Sequence, residues 1–241
     1  MDMPITVELT DKRARSESIE KVFIFFDYVD KKFSTYKKNS EIEKINRGEI
    51  GSKMYSEDMR KIFLLSEKTK RETNGYFDIS KNGKYDPLGI VKGWAIFRAS
   101  KILEEEGYKN FYIDAGGDIQ ANGKNKEGKS WRVGIQSPFK HGEIVKVLSL
   151  ENNEGVATSG TYIRGNHIYN PKRVNEEDSD IVSMTVVGPN VLEADRFATA
   201  AFAMREKGIV FIEQMKGLEG YMINNRGVAT LTRGISKYFL N

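Results

Sequence analysis

The chain reads as an α+β protein with mostly antiparallel sheets flanked by helices. Two observations predict this class. Strand-like and helical runs alternate irregularly rather than as regular βα repeats. Short turns such as Gly116-Gly117 and Asn225-Arg226 join neighbouring strand-like runs. At 241 residues, with 39% hydrophobic and 30% charged side chains, the chain can bury a sizeable core and is not disordered.

In order, Ile5, Val7 and Leu9 alternate with polar residues as in a half-buried strand. Ile19, Val22, Phe23, Phe26, Val29 and Phe33 follow helical spacing and predict a long amphipathic helix capped by Ser16 or Ser18, its aromatic stripe in the core. A short helix over 40–46 and a third over about 56–73 follow. The third turns Met59, Ile62, Phe63 and either Leu64 or Leu65 inward and ends at Asn74-Gly75, glycine being suited to a left-handed cap. After a short turn, a helix opens around Asp86-Pro87-Leu88-Gly89 and runs to Glu106. Phe111, Ile113 and Ala115 form a buried strand, and Gly116-Gly117 turns it into a second one, the paired glycines serving either a sharp bend or close backbone packing beside a ligand. Strands over 131–136, 144–150, 155–162 and 182–187 come next. An alanine-rich helix continues amphipathically to Met215, and a hairpin over 221–231 closes the chain.

Composition removes several function classes. Net charge is +4 from 38 basic and 34 acidic side chains, interleaved in sign, so no basic face marks a nucleic-acid binder. The absence of cysteine excludes disulfides, thiolate nucleophiles and thiolate-held zinc or iron–sulfur clusters. Two histidines, His141 and His167, cannot make a three-histidine zinc site, so a metal would be held mainly by oxygen. With no apolar leader and no run of membrane-spanning length, the sequence predicts a soluble, cytoplasmic protein; an exported protein read without its leader would look the same.

The stretch Glu193-Ala194-Asp195-Arg196-Phe197-Ala198-Thr199 opens the alanine-rich helix. Asp195 and Thr199, four residues apart, lie on one helical face, where a carboxylate and a hydroxyl can share a hard cation. On spacing alone the plainer account is stronger: an acid favoured by the helix dipole beside a threonine bonded back to its own helix. Gly89 could let a carbonyl approach a ligand, and Lys92 could meet an anion near the start of its helix. Read alone, His167 is a partly buried histidine satisfied by a carbonyl, and His141 sits in a solvent-facing turn. Tyr36 and Tyr76 fit the rim of a core as well as a ligand site.

Taken together and in order, seven stretches carry more. Ser34-Thr35-Tyr36 with Ser40, Gly75-Tyr76-Phe77-Asp78, Asp86 to Gly93, Ala115-Gly116-Gly117-Asp118, Ala157-Thr158-Ser159-Gly160, His167 to Pro171, and Ala194-Asp195 with Thr199 resemble the ApbE-like FAD:protein FMN transferases. The resemblance covers nearly the whole chain and implies one domain of that fold over 1–241. It implies a magnesium-dependent enzyme that splits FAD, leaves AMP and joins FMN through a phosphoester to a threonine of a target protein. Such targets include subunits of membrane electron-transfer complexes. By the same resemblance, Asp195, Thr199 and the backbone oxygen of Gly89 would hold the metal. Met3, Ser34, Thr35, Tyr36, Tyr76, Phe77, Asp78, Asp86, Lys92 and Tyr169 would line the FAD site, and His167 would be the base for the threonine hydroxyl. Physical chemistry agrees: a pyrophosphate must be neutralised before an alcohol attacks it, and a histidine near neutral pKa can take the proton.

The chain departs from the family pattern at Asn170, where an aspartate is usual, and at Lys172-Arg173, where Thr-Gly is usual. The stretch between Asp78 and Asp86 is almost absent, and the connection over 161–166 is short. These departures keep two other functions open, a metal-dependent FAD pyrophosphatase and a non-catalytic FAD-binding protein. Magnesium, calcium and manganese all accept such an oxygen set.

Overall fold

The computed structural model describes residues 3–160, 171–172 and 180–240. Its first half runs β1 (Ile5–Leu9), α1 (Ser16–Phe33), α2 (Glu41–Asn46), α3 (Glu57–Glu72), β2 (Ser80–Lys81), β3 (Lys84–Tyr85) and α4 (Leu88–Glu105). Eight strands follow as β4 (Phe111–Ala115), β5 (Asp118–Asn122), β6 (Trp131–Gln136), β7 (Ile144–Leu150), β8 (Gly155–Gly160), β9 (Ile181–Gly188), β10 (Glu219–Asn224) and β11 (Ala229–Leu231). Between β9 and β10 lie α5 (Val191–Ala203) and α6 (Lys207–Gln214).

The main sheet has seven strands in the order β1-β4-β5-β8-β9-β10-β11, every pair antiparallel. This is the α+β class that irregular alternation and short turns predict. Ala157, Met184, Val186 and Met222 turn one face of the sheet toward α5 and α6. Ile119, Ala121, Val156 and Val187 turn the other toward Trp131, Val133, Ile135, Leu148 and Leu150 of the β6–β7 hairpin. That hairpin is a separate two-stranded sheet lying over the main one. Covered on both sides, β9 can be apolar without alternation.

The N-terminal helices form a second core. Phe26, Val29 and Phe33 of α1, Met59 and Ile62 of α3, and Ile90, Ile96 and Leu103 of α4 join one buried cluster. α4 is buried almost all round, as an element between two layers must be. Serines cap α2 and α3, where Ser40 Oγ accepts from Glu43 N–H at 3.2 Å and Ser56 Oγ from Met59 N–H at 3.3 Å. Asn74 and Gly75 close α3 with φ of 50° and 79°, and of the two leucines it is Leu65 that packs inward while Leu64 is exposed.

Several expectations are corrected. Neither Ser16 nor Ser18 caps α1: its N-cap is Arg15 without a side-chain bond, and Ser18 is buried against the Tyr108 hydroxyl at 2.9 Å. The helix expected to run on to Met215 breaks instead into α5 and α6, with Arg205 in the left-handed region at φ 58°. The short passage from Asp78 to Asp86 is the β2–β3 hairpin, turned by Asn82 and Gly83, both at positive φ. Asn46 ties it to α2 by accepting from Tyr85 N–H at 2.7 Å and donating to Tyr85 O at 3.0 Å.

Candidate functional site

The site forms where α4 and α5 approach. On α4, Gly89, Lys92 and Gly93 stand at i, i+3 and i+4 and so share a face. Gly93 is what permits the approach: a Cβ there would fall 2.7 Å from Asp195 Cβ and 3.1 Å from the Val191 carbonyl. Its N–H donates to Asp195 Oδ2 at 2.7 Å. In a regular helix that N–H points to the carbonyl four residues back, which is Gly89's. Asp195 therefore competes for the donor, leaving the Gly89 oxygen capacity to accept something else. Gly93→Ala is expected to destabilise the fold by about 1–3 kcal/mol, since overpacking moves two buried helices apart. Urea unfolding checks this, and an unchanged midpoint would contradict so close a contact.

Asp195 is 3% exposed. Burial pushes its carboxyl up to about 8, Asp118 adds to the rise, and Lys92 with the Gly93 N–H opposes it. Lys92 Nζ lies 2.6 Å from Asp118 Oδ2 and 4.0 Å from Asp195 Oδ1. The Asp118 contact is close but lacks hydrogen-bond alignment, so this buried oxygen has a charge beside it and no donor aimed at it. The other Asp118 oxygen accepts from Thr158 N–H at 3.1 Å, which fixes the start of β5 to β8.

One turn along α5, Thr199 Oγ1 lies 3.5 Å from Ser159 Oγ of β8. A Cβ on Gly89 would meet Thr199 Cγ2 at 3.5 Å and Oγ1 at 3.9 Å, so the Gly89 backbone and the Thr199 hydroxyl are neighbours. The structure thus brings together Gly89, Lys92, Asp195 and Thr199. Among the described residues no group of three His, Asp or Glu side chains is placed to hold a metal ion. An ion at this place would need hydroxyl and carbonyl oxygen besides carboxylate, which suits a hard cation. A buried acid with a raised pKa and a second carboxylate oxygen lacking a donor are a fitting environment for one.

The other expected residues fall as follows. Phe77 is buried, with its ring 3.5 Å from the position of a Gly89 Cβ. Tyr76 beside it has the Lys172 ammonium 4.6 Å over its ring. Met3 packs against the Gly116 turn, where a Cβ would sit 3.0 Å from its sulfur. Ser34 Oγ accepts from Tyr36 N–H at 3.3 Å, and the Tyr36 ring is 87% exposed; Thr35 lies between them, partly buried. Asp78 pairs with Lys70 at 2.7 Å and accepts from Ser80 N–H at 2.8 Å, while Asp86 accepts from Leu88 N–H at 3.2 Å at the start of α4. Ser34, Asp78 and Asp86 thus make these polar contacts locally. His167, Tyr169 and Asn170 lie outside the described residues. His141 is exposed, as expected.

Sequence reasoning assigned no role to Asp118, Gly93 or Arg196. Asp118 carries a local signal, an acid next to a glycine-pair turn, but its partner is on another element. Arg196 is 2% exposed and donates to Glu193 Oε1 at 3.0 Å and Oε2 at 2.6 Å, to Thr69 Oγ1 at 3.2 Å and to Glu72. It clamps α5 to α3 directly beside Asp195.

An antiparallel sheet with this helix pair laid on it is the architecture of flavin transferases. The solved structure of "Flavin Transferase ApbE from Vibrio cholerae" superposes with a TM-score of 0.85 over 99% of this chain and 96% of its own, at 19% identity, a likeness of fold. The chain belongs to the ApbE family, whose model matches residues 1–84 and 80–222. It is also similar in sequence to the "FAD:protein FMN transferase" of Escherichia coli K12, at 30% identity over 146 residues, 57% of this chain and 42% of that protein. The Haemophilus influenzae protein of the same description is 30% identical over 163 residues, 64% of this chain and 47% of its own. The matched segments therefore span less than half the length of either relative.

Proposed function

We propose that the chain, as one domain over 1–241, is an FAD:protein FMN transferase that moves FMN from FAD to a threonine hydroxyl of a target protein and releases AMP. The observation that carries this reading is the convergence of Gly89, Lys92, Asp195 and Thr199 where α4 meets α5. A divalent ion held by Asp195, Thr199 and the Gly89 oxygen, magnesium in our reading, would draw charge from the FAD pyrophosphate.

The chain's own groups supply the rest. Lys92 offers a second positive charge to the phosphates, anchored by Asp118. Met3, Ser34, Thr35, Tyr36, Tyr76, Phe77, Asp78, Asp86 and Tyr169 bind and orient the dinucleotide. His167 takes the proton from the threonine hydroxyl at a ring nitrogen. The threonine oxygen then bonds to the FMN phosphorus as the bridging P–O bond to AMP breaks. Among the described residues no helix is long and apolar enough to cross a membrane; the target in our reading is a threonine-bearing protein such as a subunit of a membrane redox complex.

The test is to incubate the protein with FAD, magnesium and a threonine-bearing acceptor. Mass spectrometry should find an FMN adduct on the acceptor and one AMP released per adduct. AMP without adduct would make the protein an FAD pyrophosphatase. Absence of AMP under every condition would leave FAD binding alone and refute catalysis. For His167→Ala, transfer is expected to fall by about 10²- to 10⁴-fold with FAD binding kept. Undiminished transfer would remove this histidine from the mechanism.

A further inference from the structure

We propose that Lys92 is the resident counter-ion of the Asp118–Asp195 pair, that it competes with the divalent cation for Asp195, and that Asp118 is the positioning residue that holds Lys92 back from the cation's place. This deepens the reading above and rests on it, since it presupposes a cation at Asp195 and Thr199.

The geometry is asymmetric in a way the competition explains. Lys92 Nζ is 2.6 Å from Asp118 Oδ2 but 4.0 Å from Asp195 Oδ1. Both acid side chains are almost fully buried, at 1% and 4% exposure, while the lysine keeps 22%. The ammonium and the two buried acids share one poorly solvated place. A divalent cation entering beside Asp195 meets that ammonium as a like charge, which is unfavourable at this range in a partly buried site. Lys92 is the mobile partner, because its side chain is long, flexible and partly exposed. Asp195 is fixed by the Gly93 N–H at 2.7 Å, and Asp118 by the Thr158 N–H at 3.1 Å.

Asp118 does two things on this account. It attracts the ammonium away from Asp195, and it keeps that ammonium on the α4 face that carries Gly89, ready for an anionic ligand. Binding of the cation and binding of a phosphate then favour each other, because the lysine that the cation repels is the one that the phosphate attracts.

The test is a titration of the full chain with Mn²⁺ and with Mg²⁺ in the absence of FAD, followed by calorimetry and by thermal shift. Wild type is compared with Lys92→Met, Asp118→Asn and the double variant. Methionine keeps the length of the side chain without its charge, and asparagine can still accept from Thr158 N–H. Lys92→Met should bind the cation more tightly, on the order of tenfold. Asp118→Asn should bind it more weakly, because Lys92 then falls back on Asp195. With Lys92 already gone, adding Asp118→Asn should change affinity less than about twofold.

Unchanged or weaker binding in Lys92→Met, with wild type binding normally, would overturn the competition alone. A double variant that loses as much affinity as Asp118→Asn does would make Asp118 a direct ligand and overturn its positioning role. A wild-type chain that binds neither ion would overturn this inference together with the metal site on which it rests.

Discussion

Asp195→Asn is expected to lower FMN transfer by on the order of 10³-fold, the scale of several kcal/mol of charge stabilisation, without lowering the melting temperature of the metal-free protein. The two halves of that expectation come from the same burial. At 3% exposure, with its carboxyl pushed up to about 8 by desolvation, the acid is costly to ionise in the absence of a cation. Asparagine has the same shape and can still accept from Gly93 N–H, so the metal-free fold loses no necessary bond. Saturation with a divalent ion separates the two proteins. A ligand at a hundred times its Kd stabilises the native state by about 2.7 kcal/mol, which for a chain of this size is a rise of roughly 5–10 °C. Wild type should show that rise with magnesium and the variant should not. If Asp195→Asn instead unfolds without metal, the acid serves the helix rather than an ion, and the plainer account of its spacing prevails.

What the sequence made legible was local. The helices over 40–46 and about 56–73, the left-handed close at Asn74-Gly75 and the alternation of β4 are decided by residues within a few turns or one strand. The Asp195–Thr199 pair belongs to the same kind, because helical spacing alone puts both on one face. What stayed hidden depends on elements far apart in the chain. Asp118 acquires meaning only when β5 pairs with β8 and α4 lies across them, which brings Lys92 within 2.6 Å. Gly93 looks like any glycine early in a helix until α5 is packed on it. The break at Arg205 was missed because apolar residues continue at helical spacing on both sides of it. Gly208 shows why the chain must turn there: a Cβ at that position would sit 2.0 Å from the Ala201 carbonyl, so α6 folds back tightly onto α5.

Arg196 carries no local sign of its burial, since nothing within its own helix marks the partners it meets on α3. Arg196→Met is expected to cost about 3 kcal/mol of stability, with a melting temperature lower by roughly 6–12 °C. The guanidinium forks onto both oxygens of Glu193, reaches Thr69 at 3.2 Å and Glu72 from the same side, and lies 4.0 Å from the Phe197 ring centre. Methionine fills much of the volume but leaves two carboxylates facing each other across α3 and α5. Their side chains are 29% and 32% exposed, so each can recover some water, and this places the cost at the lower end of the range for a broken buried pair. Arg196→Lys should recover only part of the loss, because an ammonium cannot form the fork. Urea unfolding of the three proteins decides the matter. A change under about 0.5 kcal/mol in the methionine variant would mean that the pairs contribute no more than surface ones do. The loss should reach the site as well, because Arg196 anchors α5 beside Asp195. The cation affinity of Arg196→Met, measured well below its melting temperature, should fall even though the substituted side chain is not itself a ligand.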